Sequence, residues 1–460
     1  MGFRKASLFL TAVVFATAVM AGCGKPAPDN VPPGPAPGEL EDFKLSVPVT
    51  ENWIFGSRPT FTIHAENPNK VAVKAEAKVR VATDKGQEVK VFTREVEVPA
   101  SGSMDIEMTV PVDLEPGFYK ASCYVAGRAA RIFGFGVNPA DLVSAPDSQK
   151  DFDTFWETAV AQLERVEMNA TLTELPKKSS SAQKVYFVEM NSVPDGPEGD
   201  PVVIHGYYLE PQDGKKHPVL LHYFGYDDLK PGKMSCPSGG STAEFAEFYL
   251  STRGQMINNR TADKRSDGVE ADCTNTYGDW FAFHFGDRDS YYYRGAFMDC
   301  VQAVRFMATQ ATSDMDNVFA EGSSQGGAFS YAAAALSPYP LRAIAPCVAF
   351  LGDFPDYFDI VSWPASVAKK NQGSMSDAEM YTFLSYFDTK NLATRISCAV
   401  IACSGLQDTT CPPHTNTAPF NNLSVTDREM YYYPELGHQI PGNWPNKYMA
   451  FFRDRIQTAE

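Results

Sequence analysis

Apolar and polar residues alternate along the first third of the chain, and the pattern changes near residue 150. Runs such as Thr60-Phe61-Thr62-Ile63-His64 and Glu95-Val96-Glu97-Val98 have the two-residue period of half-buried strands. Turn sequences such as Asp84-Lys85-Gly86 separate these runs. About seven such strands in about a hundred residues predict an all-β, immunoglobulin-like sandwich over residues 42–138. We interpret it as a spacer or packing module, with carbohydrate binding as the alternative.

From residue 151 onwards, predicted helices alternate with short apolar runs. Residues 139–150 form a link to this second pattern, which opens with an amphipathic helix from Asp151 to about Val166. Further helices are predicted at 243–251, 293–308 and 445–455, and strands at 202–209, 218–223, 255–258, 341–350, 396–403 and 429–433. This alternation predicts an α/β domain over residues 151–460, with a largely parallel sheet covered by helices on both faces.

The sequence Gly322-Ser323-Ser324-Gln325-Gly326 lies between an apolar run and an alanine-rich helical segment. A strand, a sharp turn and a helix around Gly-x-Ser-x-Gly are typical of a nucleophile elbow. The small residues let strand and helix cross closely, and the helix N-terminus stabilises negative charge beside the serine. We therefore predict that Ser324 is a catalytic nucleophile.

A serine nucleophile needs a base and an acid, which follow it in this order in the chain: serine, acid, histidine. Of the two histidines after Ser324, His438 follows the last predicted strand, whereas His414 stands at a predicted helix start. His438 is the predicted base. Asp408 is the predicted acid because it comes just after the strand at 396–403. The competing aspartates do not have this position: Asp353, Asp356, Asp359, Asp377, Asp388 and Asp427.

The charged intermediate of acyl transfer needs fixed N–H donors. One donor is expected from the main chain of Gln325, directly after the nucleophile. The second is expected from the loop after the strand at 218–223, at Gly225-Tyr226.

Together these segments resemble the acetyl xylan esterase/cephalosporin-C deacetylase family, carbohydrate esterase family seven. The resemblance extends from Asp151 to the C-terminus. It rests on Asp151-Phe152-Asp153-Thr154-Phe155-Trp156, His217 to Tyr226, Tyr291-Tyr292-Tyr293-Arg294-Gly295, Ser324-Gln325-Gly326-Gly327, Leu384-Ser385-Tyr386-Phe387-Asp388 and Gly405 to Pro413. It implies an α/β-hydrolase fold and a Ser324, Asp408, His438 triad, with oxyanion N–H groups from Tyr226 and Gln325. It also implies removal of acetyl groups from sugars and small esters without a cofactor.

Several positions depart from the family pattern. The Arg-Gly-Gln motif of the family matches Arg253-Gly254-Gln255 by residue type, but its usual distance before Tyr291 favours Arg260. On that second interpretation, Arg253-Gly254 merely closes the helix at 243–251. Gln439 stands where a glutamate usually follows the base, and Glu321 occupies a usually apolar or small position. A sandwich domain is foreign to the compact hexamers typical of the family, so the assembly is left open, with a homo-oligomer as one alternative. These departures indicate a divergent member whose substrate need not be xylan.

The N-terminus has the features of an export signal. Arg4-Lys5 precede an apolar run that ends in Ala21-Gly22-Cys23. Residues 1–23 are predicted to be a lipoprotein-type signal peptide with a lipid anchor at Cys23, and ordinary cleavage nearby is the alternative. Residues 24–41 are predicted to be a stiff, proline-rich linker. We expect an exported lipoprotein of the bacterial cell envelope.

The charge, histidines and cysteines of the chain indicate which ligands and cross-links to expect. The net charge of −16 argues against binding nucleic acid or an anionic membrane surface. The seven histidines have no metal-ligand spacing and no Cys-x-x-Cys occurs, so no metal site is predicted. Cys236 and Cys273, both in loop sequence, are the first candidates for a disulfide, and Cys123 and Cys347 are predicted to be buried thiols.

The leading hypothesis is a surface-tethered serine esterase that deacetylates oligosaccharides or polysaccharides. A second hypothesis is another acyl hydrolase on the same scaffold, such as a peptidase or a longer-chain esterase. The third, from a different class, is a glycan-binding lipoprotein whose hydrolase domain has lost activity. The complete set of Ser324, Asp408 and His438 argues against the third.

Overall fold

The computed structural model describes residues 40–226, 234–255, 257 and 275–457. The described residues from Phe43 onwards belong to one compact unit, Phe43–Glu460. The signal peptide predicted at 1–23, the anchor at Cys23 and nearly all of the linker predicted at 24–41 lie outside the described residues. Within the described part, no helix is both long and apolar enough to span a bilayer.

Strands β1 to β8 form two sheets at the start of this unit. They are β1 (Lys44–Ser46), β2 (Ile54–Phe55), β3 (Thr60–Glu66), β4 (Val73–Thr83), β5 (Glu88–Val98), β6 (Ser103–Thr109), β7 (Gly117–Val125) and β8 (Arg128–Val137). One sheet has the order β1-β3-β6 and the other β2-β8-β7-β4-β5. Apart from the parallel pair β2 and β8, neighbouring strands are antiparallel.

The alternation of residues in these strands creates a shared apolar core. In β3, Phe61, Ile63 and Ala65 are buried while the residues between them are partly exposed. Trp53 stacks on Phe133 with ring centroids 4.2 Å apart. The predicted strands around 60–64 and 95–98 are confirmed.

A nine-stranded sheet forms the centre of the rest of the chain. Its strands are β9 (Thr171–Glu174), β10 (Gln183–Ser192), β11 (Val202–Pro211), β12 (His217–Tyr223), β13 (Ala246–Ser251), β14 (Ser313–Ser323), β15 (Ala343–Cys347), β16 (Ala399–Gly405) and β17 (Arg428–Tyr433). The order is β17-β16-β15-β14-β12-β13-β11-β10-β9. The six strands from β17 to β13 are parallel, and β11, β10 and β9 continue the sheet in antiparallel pairs.

Helices pack around this sheet. They are α1 (Phe152–Arg165), α2 (Tyr292–Ala308), α3 (Gln325–Leu336), α4 (Phe354–Ile360), α5 (Ser362–Asn371), α6 (Asp377–Leu384), α7 (Thr389–Ala393), α8 (Pro413–Asn421) and α9 (Trp444–Arg453). The predicted helices at 151–166, 293–308 and 445–455 are confirmed to within a few residues. The carboxyl ends of the parallel strands share one edge, where ligands of such sheets bind.

The helix predicted at 243–251 is wrong, because this segment contains strand β13. Ala246, Phe248 and Leu250 are buried with less buried residues between them, which is the period of a strand. Of the strand predicted at 255–258, the described residues include Gln255 and Ile257, and Ile257 forms an isolated bridge with Met234.

Candidate active site

The backbone at Ser324 makes the sharp turn that the sequence predicts. Ser324 joins β14 to α3 with φ 58° and ψ −121°, a conformation that costs free energy in a residue other than glycine. A Cβ atom at Gly326 would overlap the carbonyl oxygen of Tyr223, and one at Gly322 would overlap that of Gly326. Glycine is therefore required for strands β12 and β14 and helix α3 to cross this closely.

The other two predicted residues come from loops after neighbouring strands. Asp408 follows β16 and His438 follows β17. Main-chain pairing continues between these loops, because Leu406 N–H donates to the Tyr433 oxygen at 3.0 Å and Gln407 N–H to that of Leu436 at 2.9 Å. The loops therefore run side by side toward Ser324.

The three predicted side chains form one hydrogen-bonded line. His438 Nε2 lies 3.0 Å from Ser324 Oγ, and His438 Nδ1 lies 2.8 Å from Asp408 Oδ2. The other oxygen of Asp408 accepts the N–H groups of Thr410 and Cys411 at 2.8 and 2.9 Å. The Asp408 side chain is fully buried, so these bonds fix the carboxylate and leave Oδ2 for the imidazole.

Gln325 directly follows Ser324, and Tyr226 lines the same cavity as Ser324. Gln325 is the first residue of α3, and its side-chain oxygen accepts a bond from Tyr293 at 2.9 Å. Tyr226 follows β12, and its hydroxyl donates to Asp279 at 2.8 Å. The Gln255 amide donates to the carbonyl oxygen of Gly225 at 3.1 Å and so holds the loop that carries Tyr226.

A cavity of about 520 Å³ opens beside Ser324 and His438. Tyr226, Phe350 and Trp363 form an aromatic wall, in which Phe350 and Trp363 stack at 5.4 Å and Tyr226 meets Trp363 edge-on at 5.5 Å. Gln439 and Ile440 also line the cavity, and Ile440 is 55% exposed. The mixture of apolar wall and polar reacting groups suits a small ester.

Glu321, unusual in the elbow strand, is balanced by a buried histidine. His222 Nδ1 lies 2.7 Å from Glu321 and its Nε2 lies 3.2 Å from Glu247. Burial alone would lower the pKa of His222, but hydrogen bonds with Glu247 and Glu321 outweigh burial and raise it to about 9. The imidazolium therefore joins β13, β12 and β14 across one face of the sheet.

Arg253-Gly254-Gln255 follows a strand, so the prediction that Arg253-Gly254 closes a helix is wrong. The Arg253 guanidinium is buried and binds Asp299 at 2.8 Å and Asp195 at 2.9 Å. Gly254 has φ 75°, and a Cβ atom there would collide with Tyr277. Together with the bond from Gln255 to Gly225, these contacts connect the motif to the loop beside Ser324. Arg260, the alternative, lies outside the described residues.

His414 is not part of the line of residues at Ser324. Its Nε2 lies 3.0 Å from both Asp353 and Asp356. Its Nδ1 lies 3.5 Å from Asp84, which follows β4 in the N-terminal sheets, as we call the two sheets formed by β1 to β8. Asp353, Asp356 and His414 stand close enough together to hold a cation, which sequence spacing did not predict. Burial would lower the pKa of His414, but the carboxylates outweigh it and raise the pKa to about 11. The charged imidazole thus offsets part of the negative charge of the cluster, and Lys85 and Lys390 also pair with Asp356 and Asp353.

The predicted buried thiols Cys123 and Cys347 are confirmed, and Cys347 Sγ lies 3.2 Å from Cys403 Sγ. The proposed pairing of Cys236 with Cys273 stays a prediction, because Cys273 lies outside the described residues.

Sequence and structure comparisons identify relatives. A family model described as acetyl xylan esterase (AXE1) matches residues 142–456. The chain is 26% identical over 324 residues to the acetyl esterase Axe7A of Xylanibacter ruminicola, a match that covers 68% of each protein.

Two solved structures are also similar to this chain. They are an acetyl xylan esterase from Paenibacillus sp. R4 and acetyl xylan esterase 1 from Thermoanaerobacterium sp. JW/SL YS485. Each has a TM-score of 0.57 and 25% identity, and each match covers 69% of this chain and 98% of the other. The resemblance drawn from the sequence motifs is therefore confirmed. The chain belongs to the acetyl xylan esterase family, and it is a serine-type carboxylic ester hydrolase with the α/β-hydrolase fold.

Proposed function

We propose that the protein removes acetyl groups from acetylated oligosaccharides and polysaccharides, with Ser324 as nucleophile, His438 as base and Asp408 as the orienting acid. The observation that carries this proposal is the line from Asp408 through His438 to Ser324, with distances of 2.8 and 3.0 Å. The relatives, an acetyl esterase and acetyl xylan esterases, support acetyl esters of carbohydrates as the substrate class.

In the first half of the reaction, Ser324 Oγ attacks the acetyl carbonyl carbon while His438 Nε2 takes the hydroxyl proton. Asp408 Oδ2 holds the imidazole by accepting from Nδ1–H and stabilises the positive charge that forms. The N–H groups of Gln325 and Tyr226 are assigned to the developing oxyanion, where one such donor contributes roughly 3 kcal/mol. The intermediate collapses, His438 gives the proton to the sugar oxygen, and the alcohol leaves.

In the second half, water attacks the acetyl-Ser324 ester. His438 Nε2 takes a proton from this water, and the second tetrahedral intermediate forms at the same N–H groups. When it collapses, His438 returns the proton to Ser324 Oγ, and acetic acid leaves and ionises to acetate in water. The two halves together use only these side chains, the two N–H groups and one water molecule.

The test uses Ser324→Ala and the neighbouring Ser323→Ala as a matched control. We expect Ser324→Ala to abolish both hydrolysis of an activated acetate ester and acetate release from acetylated xylo-oligosaccharides, while Ser323→Ala retains both. A serine-directed phosphonate should label the wild type at Ser324. Wild-type activity in Ser324→Ala, or no labelling of the wild type, would refute the triad. Faster cleavage of peptides than of acetyl esters would favour the other acyl hydrolases.

We further propose that residues 42–138 are an immunoglobulin-like sandwich and that residues 151–460 form the catalytic domain. Residues 1–23 would direct export to the bacterial cell envelope, with Cys23 lipidated and residues 24–41 as the linker. The order of charged, apolar and small residues before Cys23 supports this address. Incorporation of labelled palmitate into the wild type but not into Cys23→Ser tests it, and equal labelling would contradict it.

A further inference from the structure

The N-terminal sheets pack directly on the loop that carries Asp408. Leu406, two residues before this carboxylate, is 4% exposed and belongs to the apolar core of those sheets. Gly134 of β8 approaches so closely that a Cβ atom there would overlap the carbonyl oxygen of Leu406. The sheets therefore form part of the support of the acid loop rather than a separate module.

The Gln407 carboxamide joins this sheet to both loops of the site. Its Oε1 accepts the Gly134 N–H at 2.7 Å. Its Nε2 donates to the carbonyl oxygens of Gly134 at 3.1 Å and Pro434 at 2.6 Å. Pro434 stands at the start of the loop that carries His438. One side chain, next to Asp408 in sequence, thus links β8, the acid loop and the base loop.

A second contact follows the same path. Arg131 of β8 lies 2.9 Å from Glu435, the residue after Pro434, and its guanidinium stacks over Trp53 with 4.6 Å to the ring centroid. This pair is partly exposed and contributes little free energy by itself. It nevertheless restrains the base loop from the same strand that holds Gln407.

We propose that Gln407 is a positioning residue through which the N-terminal sheets keep Asp408 and His438 at hydrogen-bonding distance. This inference rests on the proposed triad. The family match begins at residue 142, so strands β1 to β8 lie outside the region shared with the family. A displacement of about 1 Å in a catalytic group can lower the rate roughly a hundredfold. Because the Gln407 carboxamide holds the two loops together, its loss is expected to lower kcat.

The experiment compares Gln407→Ala with Asn421→Ala in the full chain. Asn421 is a matched control because its amide also donates to two main-chain oxygens at the edge of the N-terminal sheets, those of Pro139 and Leu142, each at 2.9 Å. We expect Gln407→Ala to lower kcat on an activated acetate ester by about ten- to a hundredfold with KM within about twofold. Asn421→Ala should keep kcat within about twofold, and phosphonate labelling should slow only in Gln407→Ala.

The similarly sized, uncharged Gln407→Met provides an independent measurement if Gln407→Ala does not fold, since it nearly keeps the volume and loses all three hydrogen bonds. The same fall in kcat is expected. Equal kcat values in a folded Gln407 variant and the wild type would overturn the inference while leaving the triad intact. Equal falls in the Gln407 and Asn421 variants would also overturn it, by showing a general effect of loosening the interface. An active Ser324→Ala would instead refute the proposed function.

Discussion

The buried His222 and the two partly buried carboxylates beside it predict a specific loss of stability at alkaline pH. The perturbation is the double variant His222→Gln/Glu321→Gln, which removes the titrating imidazole together with the excess carboxylate. Glu247 keeps the hydroxyl of Tyr249 as a donor at 2.8 Å and therefore remains paired. The variant thus measures how much the proton on His222 contributes to the free energy of unfolding, with little change in side-chain volume.

The magnitude follows from the pKa of His222, which is about 9 in the folded protein and 6.5 ordinarily. Because the folded-state value is the higher one, the folded state holds an extra proton between these pH values. The stabilisation is complete below pH 6.5 and is lost as the pH rises through about 9. At ~1.4 kcal/mol per pH unit, the interval corresponds to about 3 kcal/mol in the free energy of unfolding.

The assay is urea denaturation of both proteins at pH 6, 7.5 and 9.5. Between the extremes, the free energy of unfolding of the wild type should fall by about 3 kcal/mol more than that of the double variant. Buried thiols and tyrosines titrate in both proteins, so their effect cancels in the difference. Parallel pH dependence in the two proteins would refute the assignment of a charged His222.

Three further predictions concern residues at and around the proposed triad. Asp408→Asn keeps an oxygen that accepts the N–H groups of Thr410 and Cys411 but presents NH₂ to the imidazole of His438. We expect kcat to fall by about 10⁴-fold without a change in melting temperature. A loss of less than tenfold would contradict the role of Asp408. Gly326→Ala should lose phosphonate labelling because its Cβ would overlap the Tyr223 oxygen, whereas Gly56→Ala, at a position with open space, should label normally; labelling of both would be inconsistent with the crossing described. Trp363→Ala should raise the ratio of butyrate to acetate hydrolysis by about tenfold, since it removes part of the aromatic wall, and an unchanged ratio would show that Trp363 does not limit acyl length.

The sequence was most informative where local chemistry and chain order coincide. The elbow at Ser324 needs glycines within two residues, and the parallel sheet places the loops after successive strands at one edge. These two facts were enough to select Asp408 and His438 without coordinates. Most predicted strands and helices of residues 151–460 were also correct, because their apolar runs were long and bounded by turns.

Long-range pairing explains what the sequence did not reveal. Glu321 stood out only as a departure from the family pattern, because its partner, His222, is 99 residues earlier in the chain. The strand β13 was assigned as a helix because Ala, Glu, Phe, Tyr and Leu also suit helices, and only its place between β12 and β11 decides the matter. The amide of Gln407 had no local signal, since its partner Gly134 is 273 residues away.

The burial of Leu406 and Ala418 in the core of the N-terminal sheets has a consequence for biosynthesis. The ribosome makes the chain from its N-terminus, and β8 ends at Val137, so β1 to β8 are synthesised more than 260 residues before these two side chains. Until then, the N-terminal sheets expose the apolar patch that Leu406 and Ala418 later cover. Exposed apolar surface makes a folding intermediate prone to aggregation, so we expect a chaperone to bind it. The core of the N-terminal sheets and the site at Ser324 are therefore completed together, after residue 418 has been made. We expect chains that end before this residue to remain incompletely folded.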